Sequence, residues 1–183
     1  MKATIVIGRF NPPTIGHEKL LMKAKDVAES TDSTLMIFPT QSFDNDKNPL
    51  SFSDKLEFMK LSFPSVADSV IDSETMGIKH VYGVVDLLNE EGYTSVNLIV
   101  GGDRIEDFTT VRKYLDGELN IISAGDRTEN DEVSAMSATK MREFVRTGNI
   151  EGFITGTTDS LNNNDAKTMF NLIGDRINYY GRE

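Results

Sequence analysis

Apolar positions along this 183-residue chain follow two alternating rhythms, one with the period of strands and one with the period of helices. Residues 3–7 (ATIVI) are a short, β-branched run ended by Gly8, which predicts a buried strand. From Glu18 onward Leu20, Leu21, Ala24, Val27 and Ala28 recur at helical spacing, predicting a helix to about Ser30. Residues 34–38 (TLMIF) read as a second strand closed by Pro39, and residues 40–52 as a polar loop rich in turn formers. Ser53 is placed to cap a helix opening DKLEF. Residues 69–71 supply a short third strand, and Ile78, Val81, Tyr82, Val85 and Leu88 a helical stripe stopped by Gly92. Residues 96–100 (VNLIV) form a fourth strand ending at Gly101-Gly102. Ile105, Phe108, Val111 and Leu115 mark another helix, and residues 119–123 a fifth strand. After an acid-rich loop over 125–135, a helix is expected over 137–147 with Gly148 in the stop position. Ala166, Met169, Phe170, Ile173 and Ile177 mark a last helix after the polar NNND.

Strands alternating with helices predict an α/β fold: a Rossmann-like, doubly wound, parallel five-stranded sheet with helices on both faces, plus a C-terminal helix. Residues 1–150 are expected to carry that domain and residues 151–183 a helical extension of it. Such sheets bind ligands beyond the carboxyl ends of their strands, near the point where strand order reverses. The loops after the first strand and after VNLIV both leave carboxyl ends, so they are expected to face one crevice.

Composition narrows the function. A 38% hydrophobic content supports a real core, and no segment approaches the ~18 consecutive apolar residues of a membrane helix. The N-terminus lacks the features of a signal peptide, and the absence of cysteine excludes disulfides and thiolate zinc sites, which suits a cytoplasmic protein. A formal charge of −10 opposes sequence-independent nucleic-acid binding. An anionic ligand would therefore need a local cluster of positive groups.

One such cluster begins at GRFNPPTIGH, residues 8–17. Gly8 permits close backbone approach, Arg9 brings a planar donor fork, and Pro12 and Pro13 stiffen the loop. Thr14, Gly16 and His17 fall at a helix N-terminus, where N–H groups and the dipole favour an anion. His17 there can donate to a phosphate oxygen or to charge developing in a transition state. Neither GxxxxGK[ST] nor GxGxxG is present. A second cluster is MSATKMR, residues 136–142, opening the helix expected there. Ser137 and Thr139 can cap that helix or bind phosphate oxygens, while Lys140 and Arg142 add charge. His80 has no motif around it and reads as structural or exposed.

Together these stretches resemble the two signatures of the HIGH nucleotidylyltransferases: a strand leading into G-[TR]-F-[DNQ]-P and [HT]-x-G-H, then I-S-[ST]-[ST]-x-[IM]-R at a helix start. Gly8, Arg9, Phe10, Asn11, Pro12, Thr14, Gly16 and His17 match the first, and Ser137, Thr139 and Arg142 the second, where Ala138 replaces a Ser/Thr. Gly101-Gly102-Asp103 resembles the family's G-x-D, and Lys47 in KNPLSF the lysine that approaches substrate phosphates after the second strand. The resemblance spans residue 3 to about 147. It implies transfer of a nucleotidyl group, AMP from ATP being favoured over CMP from CTP, to a small phosphate-bearing acceptor with release of pyrophosphate. It further implies that His17 contacts the α-phosphate and that Thr14 orients it or meets the acceptor phosphate. Ser137, Thr139 and Arg142 would hold the β- and γ-phosphates with Mg²⁺ shielding them, and Gly8, Arg9, Phe10, Gly16, Gly101 and Asp103 would frame the nucleotide. Nicotinamide mononucleotide is the leading acceptor, although the tryptophan that often stacks on its ring is absent. Cytidylyltransferase and phosphopantetheine adenylyltransferase-like activities are the alternatives, and an inactive nucleotide-binding or structural protein is the alternative of another class. Aminoacyl-tRNA synthetases share the ancestry, but a chain of 183 residues with a net charge of −10 leaves no room for tRNA-binding domains.

Overall fold

The structure is a computed structural model and describes residues 1–101, 105–125 and 136–177. β1 (Lys2–Gly8), β2 (Thr34–Pro39), β3 (Ser95–Val100) and β4 (Glu118–Ser123) form a parallel sheet of four strands among the described residues, in the order β2-β1-β3-β4. Alternation along each strand divides the core. Ala3 and Ile5 of β1, Met36 and Phe38 of β2, and Val96, Leu98 and Val100 of β3 face one layer. Val6, Ile37 and Ile99 face the other. The first layer is closed by α3 (Val81–Glu90) and the 3₁₀ helix Glu106–Tyr114, the second by α1 (Ile15–Thr31) and α2 (Phe52–Ser62). Each face buries apolar side chains at ~25 cal/mol per Å² removed from water, which is why both layers are required.

Residues 69–71 do not form the expected third strand, which leaves four strands rather than five among the described residues. Val70 makes a single parallel bridge to Ile37, with the Ile71 N–H donating to the Ile37 carbonyl at 2.8 Å. A 3₁₀ helix (Pro64–Ser69) occupies the chain immediately before, and Asp72 turns it immediately after by accepting from the N–H and hydroxyl of Thr75. Too few residues remain to extend the pairing.

Helix starts also shift. α1 begins at Ile15 rather than Glu18, because Thr14 is its cap. Ser51, not Ser53, caps α2 by accepting from the Asp54 N–H at 3.2 Å. In α3 the Tyr82 ring is 49% exposed, and Val84 takes the inward place assigned to it. The segment around Phe108 and Val111 is helical but of the tighter 3₁₀ kind.

α4 (Ala138–Arg146), α5 (Ile150–Thr155) and α6 (Asn163–Arg176) complete the chain; α5 was not expected from the pattern. They build a third core in which Met141, Val145, Phe153, Met169 and Ile173 meet Phe58 of α2 and Leu50 of the preceding loop. No helix among the described residues is long and apolar enough to cross a membrane.

Candidate functional site

Strand order reverses between β1 and β3, and a cleft of about 180 Å³ opens beyond their carboxyl ends. Its walls include Gly8, Arg9, Phe10, Thr14, Gly16 and His17 from the first motif and Ser137, Thr139 and Arg142 from the second. Gly101 joins them from the end of β3. Residues some 120 positions apart thus share one wall. Gly102 and Asp103 lie outside the described residues. Lys47 is exposed and does not line the cleft; its N–H donates to Asp44 Oδ1 at 2.7 Å in a surface turn. His80 is exposed at the start of α3. Lys19, which carries no motif, lines the cleft.

The first motif is built backwards from its buried aromatic. Phe10 is 1% exposed and holds a left-handed backbone at φ 47°, a strained choice for a non-glycine residue. Its ring lies so close under Gly8 that a Cβ there would meet Phe10 Cε2 at 2.9 Å, so glycine is required by close approach. On its other side the ring packs against His17, with centroids 4.8 Å apart. The Asn11–Pro12 peptide is cis, and the Asn11 side chain pairs with Leu50 in both directions, at 3.0 and 2.9 Å. That pincer fixes the loop before α2 against the motif.

Thr14 and His17 form a reciprocal cap. Thr14 Oγ1 accepts from the N–H groups of Gly16 and His17, and His17 Nδ1 accepts from the Thr14 N–H at 3.0 Å. With Nδ1 an acceptor, the neutral ring carries its proton on Nε2, which makes Nε2 the donor that His17 can offer a ligand. The Thr14 hydroxyl hydrogen goes to the Met136 carbonyl at 3.1 Å, tying the two motifs together. The Ile15 N–H donates to the Gly156 carbonyl at 3.0 Å, and the Glu18 N–H to Thr14 O. The first four amides of α1 are therefore all taken by the protein. The sequence reading, which relied on free N–H groups at this helix start, is corrected here: the donors α1 brings to the cleft are side chains.

The second motif differs. Ser137 caps α4 by accepting from the Lys140 N–H at 3.1 Å, and no described residue accepts from the Ala138 or Thr139 N–H. Arg142, 6% exposed, donates to the Asn11 carbonyl at 3.0 Å and to Thr139 Oγ1 at 3.3 Å. Its Nε is buried without a partner. Burial draws its pKa below the usual guanidinium value, and Arg9 and Arg146 add to the effect. A buried cation short of acceptors, beside a second cation, is an environment that gains from an anion.

Sequence reasoning missed Lys55. It lies fully buried on α2, where its ammonium donates to the Thr40 carbonyl. Burial, and then Arg9, pull its pKa down to about 7. A lysine inside an amphipathic helix reads as exposed, and only the folded-over loop after β2 reveals otherwise.

Among known proteins, the profile of the cytidylyltransferase-like family matches residues 5–152. No curated protein matches the chain in sequence. In structure the chain is similar to a Vibrio parahaemolyticus protein assigned as a nicotinate-nucleotide adenylyltransferase, at 18% identity and a TM-score of 0.55, covering 94% of this chain and 99% of that one. It is also similar to Thermotoga maritima TmcAL, solved with alpha-thio ATP bound (11% identity, TM-score 0.52, 94% of this chain and 55% of that one). A macrolide-efflux protein from Streptococcus pneumoniae is a third (16% identity, TM-score 0.51, 84% and 54%). The chain thus spans about half the length of the last two. These identities speak for the fold alone.

Proposed function

The chain belongs to the cytidylyltransferase-like family, and from that premise we propose that it transfers AMP from ATP to the phosphate of a small acceptor, with a pyridine mononucleotide as the leading candidate. The observation that carries this reading is the meeting of both motifs at one cleft, tied together by Thr14 donating to the Met136 carbonyl and Arg142 to the Asn11 carbonyl. An acceptor phosphate oxygen attacks the α-phosphorus, the bond from that phosphorus to the β-bridging oxygen breaks, and pyrophosphate leaves. No side-chain nucleophile takes part. Positioning and neutralisation of developing charge supply the rate.

In this reading His17 Nε2 donates to the α-phosphate and Thr14 acts as a positioning residue, since its hydroxyl is committed to Met136 and to the cap. Arg9, Ser137, Thr139 and Arg142 receive the β- and γ-phosphates, together with the open amides of α4. In this reading Mg²⁺ enters on the nucleotide as part of the substrate, shielding the phosphates that these cations and hydroxyls receive. CTP is the second reading of the donor, favoured by the family to which the chain belongs.

The test is pyrophosphate release from Mg²⁺ with ATP or CTP across a panel of acceptors headed by nicotinamide and nicotinate mononucleotides, beside a His17→Asn control. Acceptor-dependent release with ATP, lost in the control, is expected. ATP binding with no release for any acceptor would replace transfer by a binding-only protein.

A further inference from the structure

The loop between β2 and α2 is pinned at both ends to the first motif and latched in its middle by two arginines from the last third of the chain. At one end the Thr40 N–H donates to Gly8 O at 2.8 Å; at the other, Leu50 pairs with the Asn11 side chain. Between them residues 42–47 are exposed. Asp46 leaves that stretch to meet Arg146 of α4 at 2.5 Å, and the Asp46 carbonyl accepts from the same guanidinium at 3.4 Å. Arg176 of α6 donates to Pro49 O and Asp54 Oδ2, at 3.2 and 3.0 Å, and lies over the exposed Phe43 ring at 5.4 Å.

Arg146 is not an ordinary surface cation. It stands four residues after Arg142 on one face of α4, about 6 Å further along the axis. Its Nε is buried without a partner, as is Nε of Arg142, which lines the cleft. Arg9 and Arg146 both act on Arg142, where Asp46 and Asp44 from the loop oppose them, and Arg146 also meets the exposed Glu143 of its own helix at 3.5 Å. Asp44 is already engaged: it accepts from the N–H groups of Asp46, Lys47 and Asn48 and from the Asn48 side chain. Asp46 is the carboxylate that can leave. Its side chain is 53% exposed and is held by Arg146 alone among described charged partners.

Resting on the transfer reading above, we propose that Arg146 is a specificity-determining residue for the acceptor, which exchanges the loop carboxylate of Asp46 for a negative group on the acceptor other than its reacting phosphate. An anion arriving between Arg9 and Arg142 repels the loop carboxylates, and the acceptor's second negative group takes the place Asp46 vacates. The acceptor class that follows is a phosphomonoester bearing an additional carboxylate or phosphate.

Nicotinate and nicotinamide mononucleotides differ by one carboxylate against one amide, so they serve as the probes. Their affinities for the full chain are measured by calorimetry in the wild type, Asp46→Asn, Arg146→Gln and the double variant, with ATP titrated as a control. The wild type is expected to favour the nicotinate form about tenfold, as befits one charge-assisted pair in a partly wet site. Arg146→Gln erases that preference, Asp46→Asn enlarges it by removing the internal competitor, and the double variant behaves as Arg146→Gln. The readout is the ratio of nicotinate to nicotinamide affinity within each protein, because ATP phosphates at Arg9 and Arg142 feel the same charge changes and ATP serves only to show that each variant is folded and binds nucleotide. A preference that survives Arg146→Gln, or an Asp46→Asn variant that binds the nicotinate form more weakly, overturns the exchange. If neither mononucleotide binds any of the proteins while ATP does, the inference fails and nucleotidyl transfer stands. If ATP neither binds nor releases pyrophosphate in the wild type, both fall.

Discussion

Removing the His17 imidazole separates two jobs that the ring performs through different nitrogens. Nδ1 accepts from the Thr14 N–H at 3.0 Å, and Thr14 is 1% exposed, so His17→Ala strands a buried donor. The cost of that group is ~1–3 kcal/mol of stability, with a smaller loss from the Phe10 ring contact. Nε2 is the donor assigned to the α-phosphate, and losing such a donor costs ~10²–10³ in rate, or ~3–4 kcal/mol of transition-state stabilisation. His17→Asn splits the two. An asparagine amide reaches as far as the Nδ1 position and can accept from Thr14, but it presents nothing at Nε2. Urea denaturation is expected to show His17→Ala destabilised and His17→Asn close to wild type. Pyrophosphate release is expected to fall ~10²–10³-fold in both. His17→Gln, whose amide reaches the Nε2 position, should regain part of the rate. Full activity in His17→Asn would refute the reasoning, because the ring would then matter only as a cap.

Gly8→Ala places a methyl 2.9 Å from the buried Phe10 ring and should cost ~1–3 kcal/mol in denaturant unfolding, with transfer reduced as His17 shifts with the ring. Ser137→Ala removes the cap on the Lys140 N–H and should cost ~1 kcal/mol while weakening ATP binding in calorimetry. Lys55 provides a pH signature. Its folded pKa of about 7 lies below the ~10.4 of an unfolded lysine, so the folded chain holds fewer protons between those values and stability from this group rises with pH across that window. At and below pH 7 the buried ammonium carries its full penalty. Lys55→Met should therefore gain on the wild type by an amount of order 4 kcal/mol near pH 6.5, shrinking toward pH 10, and a pH-independent difference would contradict the assignment.

What the sequence made legible was local. Strands such as VNLIV and ATIVI declare themselves because buried parallel strands are short, apolar and β-branched, and residues 119–123 follow the same logic as β4. The two motifs were legible by their resemblance to a known pair of signatures, and the structure puts Gly8 at the end of β1, His17 in the first turn of α1 and Ser137 at the cap of α4. What escaped was decided by long-range partners. The run at 69–71 has strand composition, yet Asp72 and the preceding 3₁₀ turn limit it to one bridge. The amides of α1 looked available until Gly156, 141 residues after Ile15, closed one of them. Lys55 and Arg146 carry no sequence mark. Their significance arises from the loop after β2 folding back across α2 and α4, which no periodicity encodes.

The most direct measurement follows the phosphorus atoms. With Mg²⁺-ATP, nicotinate or nicotinamide mononucleotide and the full chain, ³¹P spectra should show ATP consumed, free pyrophosphate appearing in equal amount, and a new diphosphate linkage on the mononucleotide. Orthophosphate in place of pyrophosphate would mean cleavage at the γ-phosphate, and ATP left intact with bound protein would mean no transfer; either would contradict nucleotidyl transfer by this cleft.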